Sequence, residues 1–191
     1  MITVQPIFIV GIGGSAGALN AFKALLDAMP PDTGMSFVII YHMLPQAHSQ
    51  LTKILSRHTK MSVVLASDAI PILTNHVYII PPDSDLTMEN YKLKLISPRS
   101  GRNKQVDMFF ISLAEEMGAR AVGIILSGYA GDGTEGCRHI KAKGGKTITQ
   151  DMSAEVEQMP LSAQAAGCVD FVLPINEIPS KLKSLAAALK T

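Results

Sequence analysis

The sequence predicts an α/β fold, a doubly wound, mostly parallel sheet with helices on both faces and an antiparallel hairpin at one edge. Short β-branched runs alternate with helical patterns along most of the chain, which is the rhythm of βαβ units. The runs are continuously apolar instead of alternating, as befits strands covered on both faces. Between the two halves the rhythm breaks into closely spaced short strands separated by turn residues.

The first strand is Ile7 to Val10, followed by a helix from about Ala16 to Met29. Phe37 to Tyr41 is the second strand, and a helix from about Ser49 to Thr59 follows it. Val77 to Ile80, Leu86 to Met88 and Leu93 to Ile96 lie close together, with turns at Pro81-Pro82-Asp83 and Glu89-Asn90-Tyr91. They read as an antiparallel excursion on the sheet edge. The basic, turn-rich segment from Ser97 to Lys104 reads as a loop, either solvated or serving as a substrate-facing flap. A helix over Val106 to Met117, a strand over Ala121 to Ser127, a helix over Thr134 to Lys143 and a strand over Lys146 to Thr149 resume the first rhythm.

A length of 191 residues is near that of one domain, which buries roughly 70% of the surface of its unfolded chain. We read residues 1–191 as one such unit. With 47% hydrophobic and 17% charged residues the composition excludes a disordered chain. Seventeen basic residues against sixteen acidic ones leave no electrostatic footprint for nucleic acid or an anionic membrane. No apolar run approaches the roughly 20 residues of a membrane span, and no export signal is evident, so no membrane insertion is expected. Cys137 and Cys168 match no metal spacing and read as free thiols, which leads us to expect the cytoplasm. His48, His58, His76 and His139 show no ligand spacing either, so neither a metal nor a cofactor is expected.

Three segments can carry chemistry. Gly11-Ile12-Gly13-Gly14-Ser15-Ala16-Gly17 runs from strand to helix and admits three readings. As G-x-G-x-x-A it is a dinucleotide turn; as G-x-S-x-G it presents Ser15 on a sharp elbow, with Gly13 and Gly17 relieving the crowding; or Ser15 merely caps the helix. His42 ends the second strand, where a dinucleotide fold expects an acidic residue, and suits a general base better than a ribose binder. Leu126-Ser127-Gly128-Tyr129-Ala130-Gly131-Asp132-Gly133 is a second glycine-rich strand-to-helix loop. With Glu135 three residues on, Asp132 forms the pattern of a capping box, yet the same residue could orient His42.

Taken together, Gly13-Gly14-Ser15-Ala16-Gly17, Tyr41-His42-Met43 and the Leu126 to Gly133 loop resemble the catalytic domain of the chemotaxis receptor protein-glutamate methylesterase family, the CheB type. Pro81 after its strand, Val106-Asp107 opening a helix and Met159-Pro160 extend the likeness over nearly the whole chain. The Ser, His, Asp order differs from that of ordinary α/β-hydrolases. The resemblance implies hydrolysis of glutamyl γ-methyl esters on receptor signalling helices with release of methanol, often with deamidation of certain glutamines. It implies Ser15 as nucleophile, His42 as base, Asp132 as its partner, and the backbone N–H groups of Ala16 and Tyr129 as oxyanion donors. Many chemotaxis members carry threonine and methionine where this chain has Ala16 and Tyr129. In this the chain looks closer to methylesterase-like domains fused with methyltransferase and sensor modules, and a catalytic domain without the usual receiver domain is expected. A nucleotide-binding Rossmann domain and an idle receptor-binding domain are the two other classes weighed.

Overall fold

The computed structural model describes residues 5–43 and 50–189. Among these the strands are β1 (Ile9–Gly14), β2 (Ser36–Tyr41), β3 (Ser62–Leu65), β4 (His76–Ile79), β5 (Asp85–Glu89), β6 (Lys92–Ile96), β7 (Ala121–Ile125), β8 (Lys146–Gln150) and β9 (Phe171–Leu173). The helices are α1 (Ala18–Ala28), α2 (Leu51–Leu55), α3 (Gln105–Met117), α4 (Thr134–Ala142), α5 (Gln158–Ala165) and α6 (Ile178–Ala188). Seven strands form one parallel sheet in the order β3-β4-β2-β1-β7-β8-β9. The antiparallel pair β5-β6 is a sheet of its own, joined to the rest by a bridge between Pro71 and Lys92.

The strands are apolar throughout because alternate residues serve two cores. Val10, Ile12, Phe37, Ile39, Val122 and Ile124 meet Phe22 and Leu25 of α1 and Leu182 of α6. Ile9, Val38, Ile40 and Ile125 face the opposite way, toward Phe109, Phe110 and Leu113 of α3 and the hairpin residues Leu86 and Leu93. On this second face α3 lies unusually close. A Cβ on Gly11 would stand 2.7 Å from a ring carbon of Phe110, and one on Gly123 would stand 2.9 Å from another. The glycines of β1 and β7 let α3 settle onto the centre of the sheet.

The α/β class, the double winding and the separate hairpin agree with the sequence. Three details differ. Val77 to Ile80, grouped by sequence with the antiparallel excursion, pairs parallel between β2 and β3. The edge strand β3 has four half-exposed residues, too few for a clear pattern. The helix read from Ser49 to Thr59 shrinks to Leu51–Leu55 among the described residues, with Ser49 outside them. Helices α5 and α6 and strand β9 complete the second half in a stretch where the sequence offers short, weakly periodic signals.

Candidate active site

Ser15 and His42 leave the carboxyl ends of adjacent strands. Gly14 pairs with Tyr41, and one step further the His42 N–H donates to the Gly14 carbonyl at 3.1 Å. Register alone therefore brings the two residues off the sheet side by side. The Ser15 N–H donates to the Ser127 carbonyl at 2.9 Å, tying the serine to the end of β7 on its other side. Ser15 is not a cap. Helix α1 begins later, with Gly17 at its N-cap position in the left-handed region at φ 74°. A Cβ there would also stand 2.7 Å from the Ser127 hydroxyl. The turn's unusual dihedral is thus carried by Gly17, while Ser15 itself is absent from the positive-φ residues.

The Ser15 Oγ accepts a hydrogen bond from the Tyr129 N–H at 3.0 Å. That contact needs the loop before α4 to come very near, and Gly128 permits it, since a Cβ at 128 would overlap the Met159 sulfur and lie 2.5 Å from the Ser15 Oγ. The loop is fastened on several sides. Ser127 Oγ donates to the Ala16 carbonyl at 2.7 Å and accepts from the Val156 N–H at 2.9 Å. Gln150 Oε1 accepts from the Ser127 N–H, and Gln158 Oε1 accepts from the Ala130 N–H. Ala130 has φ 66°, a strained conformation for a residue with a Cβ. The Ala16 N–H has no hydrogen-bond partner among the described residues.

His42 Nε2 lies 2.6 Å from Asp132 Oδ2, with the imidazole 11% exposed and the carboxylate fully enclosed. The same Oδ2 accepts from the Val106 N–H at 3.0 Å, and Oδ1 accepts from the Asp107 N–H at 2.9 Å. An anion at the amino end of α3, receiving those backbone protons, fixes Nε2 as the ring donor and leaves Nδ1 with its lone pair. The nitrogens are used in the opposite sense to the serine-protease template, where the aspartate holds Nδ1.

The capping box read from Asp132 and Glu135 is corrected by this geometry. Gly133 occupies the N-cap of α4 and no side chain caps it locally. Asp132 turns instead to α3, and Glu135 pairs with Arg138 and His139. The caps are exchanged: Asp107 of α3 accepts from the Gly133 and Gly136 N–H groups at 3.0 and 2.7 Å. Nothing in the spacing of Asp107 announced this, because its partners are 26 and 29 residues away.

The loop from Ser97 to Lys104 is pinned. Buried Asp85 accepts from the N–H and hydroxyl of Ser100 and from Gln105 Nε2, at 2.7, 2.6 and 2.8 Å. Burial would raise the Asp85 carboxyl, but the Ser100 and Gln105 hydrogen bonds and the Arg99 charge hold it below the ordinary range. Arg99 and Gln105 line a small cleft with His42, Pro81 and Pro82, so the loop forms one wall of the site.

The other sequence candidates lie elsewhere. His58 pairs with Asp27, His76 donates to the Thr74 carbonyl, and His139 sits on α4 beside Glu135. His48 lies outside the described residues. Cys137 and Cys168 are free and buried. Among the described residues no three His, Cys, Asp or Glu side chains gather as metal ligands would. No described helix is long and apolar enough to cross a membrane. The dinucleotide reading loses its basis, since Gly11 and Gly13 face Phe110 and Val106 of α3 and the second strand ends in a histidine bound to Asp132.

Comparison with known proteins identifies the family. The family model for CheB methylesterase matches residues 10–182. A protein-glutamate methylesterase/protein-glutamine glutaminase of Hydrogenovibrio crunogenus is 33% identical over 184 residues, which is 93% of this chain and 49% of that protein. The chain thus spans about half the length of that relative. A putative protein-glutamate methylesterase/protein-glutamine glutaminase of Leptospira interrogans is 32% identical over 87% of this chain and 89% of its own length. The crystal structure of the Thermotoga maritima CheB methylesterase catalytic domain superposes with a TM-score of 0.85 at 30% identity, covering 93% of this chain and 98% of that one. The chain belongs to the CheB methylesterase family.

Proposed function

We propose that this chain is a protein-glutamate methylesterase with Ser15 as nucleophile, His42 as general base and Asp132 as the residue that orients and balances it. One observation carries the reading: an imidazole bound to a fully enclosed carboxylate, beside a serine whose Oγ already receives the Tyr129 N–H. The Ser15 Oγ attacks the carbonyl carbon of a glutamyl γ-methyl ester while His42 Nδ1 takes its proton. Asp132 stabilises the imidazolium that forms, through the proton on Nε2. The oxyanion is met by the Ala16 N–H, which has no other acceptor among the described residues, and by the Tyr129 N–H. Collapse expels methanol as His42 returns the proton to the leaving oxygen. Water, deprotonated in turn by His42, then frees the glutamate from Ser15. With a glutamine in place of the ester the same steps release ammonia, which is deamidation.

The substrate we infer is the methylated helix of a chemoreceptor or similar signalling protein, with methyltransferase or sensor modules as associated partners. The relatives' names and the family match support this choice. Two buried free thiols suit a reducing compartment, and we expect the cytoplasm. Methanol release from methylated receptor membranes tests the reading. The protein should release methanol, the Ser15→Ala variant should not, and unchanged release by that variant overturns the serine mechanism. A domain that binds receptor helices without catalysis would release none in either form.

A further inference from the structure

We propose that Asp107 is a positioning residue for the hydrolysis, fixing the loop that carries Asp132 and serving as the carboxyl group there with an oxygen left to hold a proton. The proposal rests on the roles given above to Ser15, His42 and Asp132.

The geometry is reciprocal. Asp132, which precedes α4, binds the amino end of α3, while Asp107, in the first turn of α3, binds the amino end of α4. Neither helix can shift without pulling on the carboxylate that the other presents. The two residues are also joined directly, since the Asp107 N–H donates to Asp132 Oδ1. Of two neighbouring carboxylates, the one with fewer donors takes up a proton more readily. Asp132 receives three donors spread over both oxygens, from Val106, Asp107 and His42. Asp107 receives two, both on Oδ1, which leaves its other oxygen free of these donors and able to hold a proton.

The remaining environment agrees. Burial pushes the Asp107 carboxyl up and the Asp132 charge pushes it the same way, against the Gly136 and Gly133 N–H groups that hold it down. Of the other ionisable groups nearby, Cys137 of α4 is a thiol kept protonated by its hydrogen bond with Cys168 and by burial, so it adds no charge. Asp85 of β5 is engaged by Ser100 and Gln105, and Glu135 of α4 by Arg138 and His139. His42 stands beyond Asp132, on its Oδ2. Asp107 is thereby the group in this region able to absorb a proton.

Two variants and one titration test this. In Asp107→Asn the amide oxygen still accepts from Gly133 and Gly136, and its NH2 takes the place of the proton. In Asp107→Ala both functions go. The alanine variant should lose turnover by about 10²-fold with KM little changed, as expected when a reacting group is displaced. The asparagine variant should recover most of that loss and move the acid limb of the rate profile to lower pH, because one negative charge near the imidazolium is gone. Carbon NMR of the side-chain carboxyls in the unmodified protein should find Asp107 taking its proton above the ordinary carboxylate range. An Asp107 that titrates at or below that range overturns the proposal. So does an asparagine variant that is as impaired as alanine with an unmoved profile. The Asp107 titration decides the matter even where Asp107→Ala does not fold, and even where the chain proves inactive on esters, which would overturn the function above and not the pairing.

Discussion

Val106 stands where a side chain on Gly13 would have to be: a Cβ at position 13 would lie 2.5 Å from Val106 Cγ1 and 2.8 Å from Cγ2. The same Val106 donates its N–H to Asp132 at 3.0 Å. One residue therefore packs α3 onto β1 and holds the carboxylate that faces His42. Gly13→Ala should push the two apart, costing about 1–3 kcal/mol of stability as overpacking does, and should lower hydrolysis by moving Asp132. Val106→Ala in the same chain should give back part of both, because it vacates the contested space. Urea unfolding and ester hydrolysis on the single and double variants check this; an unaltered Gly13→Ala protein would contradict it.

Asp132→Asn reports on how many donors the carboxylate serves. Asparagine is a good cap for one helix end, but here three donors spread over two oxygens, so an NH2 must face either the Asp107 N–H or the pair from Val106 and His42. The buried mismatch should cost about 1–3 kcal/mol. Turnover should fall by about 10²- to 10⁴-fold, because an amide cannot balance an imidazolium. Thermal unfolding and steady-state hydrolysis on one sample separate the two effects. Wild-type turnover would leave Asp132 as a cap for α3 and nothing more.

With His42 as base, the rate should fall on acidification, because a protonated imidazole cannot take the proton of Ser15. The measurement is kcat/KM for ester hydrolysis from pH 5 to 9. A flat profile with chemistry rate-limiting would remove His42 from that role.

Asp85 makes a prediction about stability against pH. Its folded carboxyl is held below the ordinary range, so the stability it adds is present above the unfolded value and is lost as pH falls through the folded one. Asp85→Asn should therefore unfold at lower urea than the parent at pH 7, by about 1–3 kcal/mol for a buried acceptor lost. The gap should narrow progressively in acid below pH of about 4. A gap that is constant with pH would mean the loop from Ser97 to Lys104 is held by shape and not by this charge.

Much of the fold was legible because strands buried on both faces leave unbroken runs such as Phe37 to Tyr41. That Ser15, His42 and Asp132 share one end of the sheet was legible for a related reason: each sits at the carboxyl end of a strand or in the loop that follows it, where parallel sheets present their side chains. Other parts were not. The work of Gly11 and Gly13 lies across the sheet, against Phe110 and Val106, and a glycine says nothing of what fills its vacancy. The swapped caps of Asp107 and Asp132 defeat a local rule, since a carboxylate three residues before a glutamate looks the same whichever helix it serves. Gln150 and Gln158, which fasten the Ser127 to Ala130 loop, follow no pattern that local spacing can express.

The order of the strands has a consequence for how the protein can fail. The chain lays β2, β4 and β3 to one side of β1 and β7, β8 and β9 to the other. His42 comes from the first half, Asp132 from the second, and Ser15 from the strand at their seam. Cut between Ile96 and Gln105, the molecule would give two fragments, each with part of the proposed triad and neither with all of it. Activity recovered on mixing would count reassembled molecules, so the site doubles as an indicator that both halves have found each other.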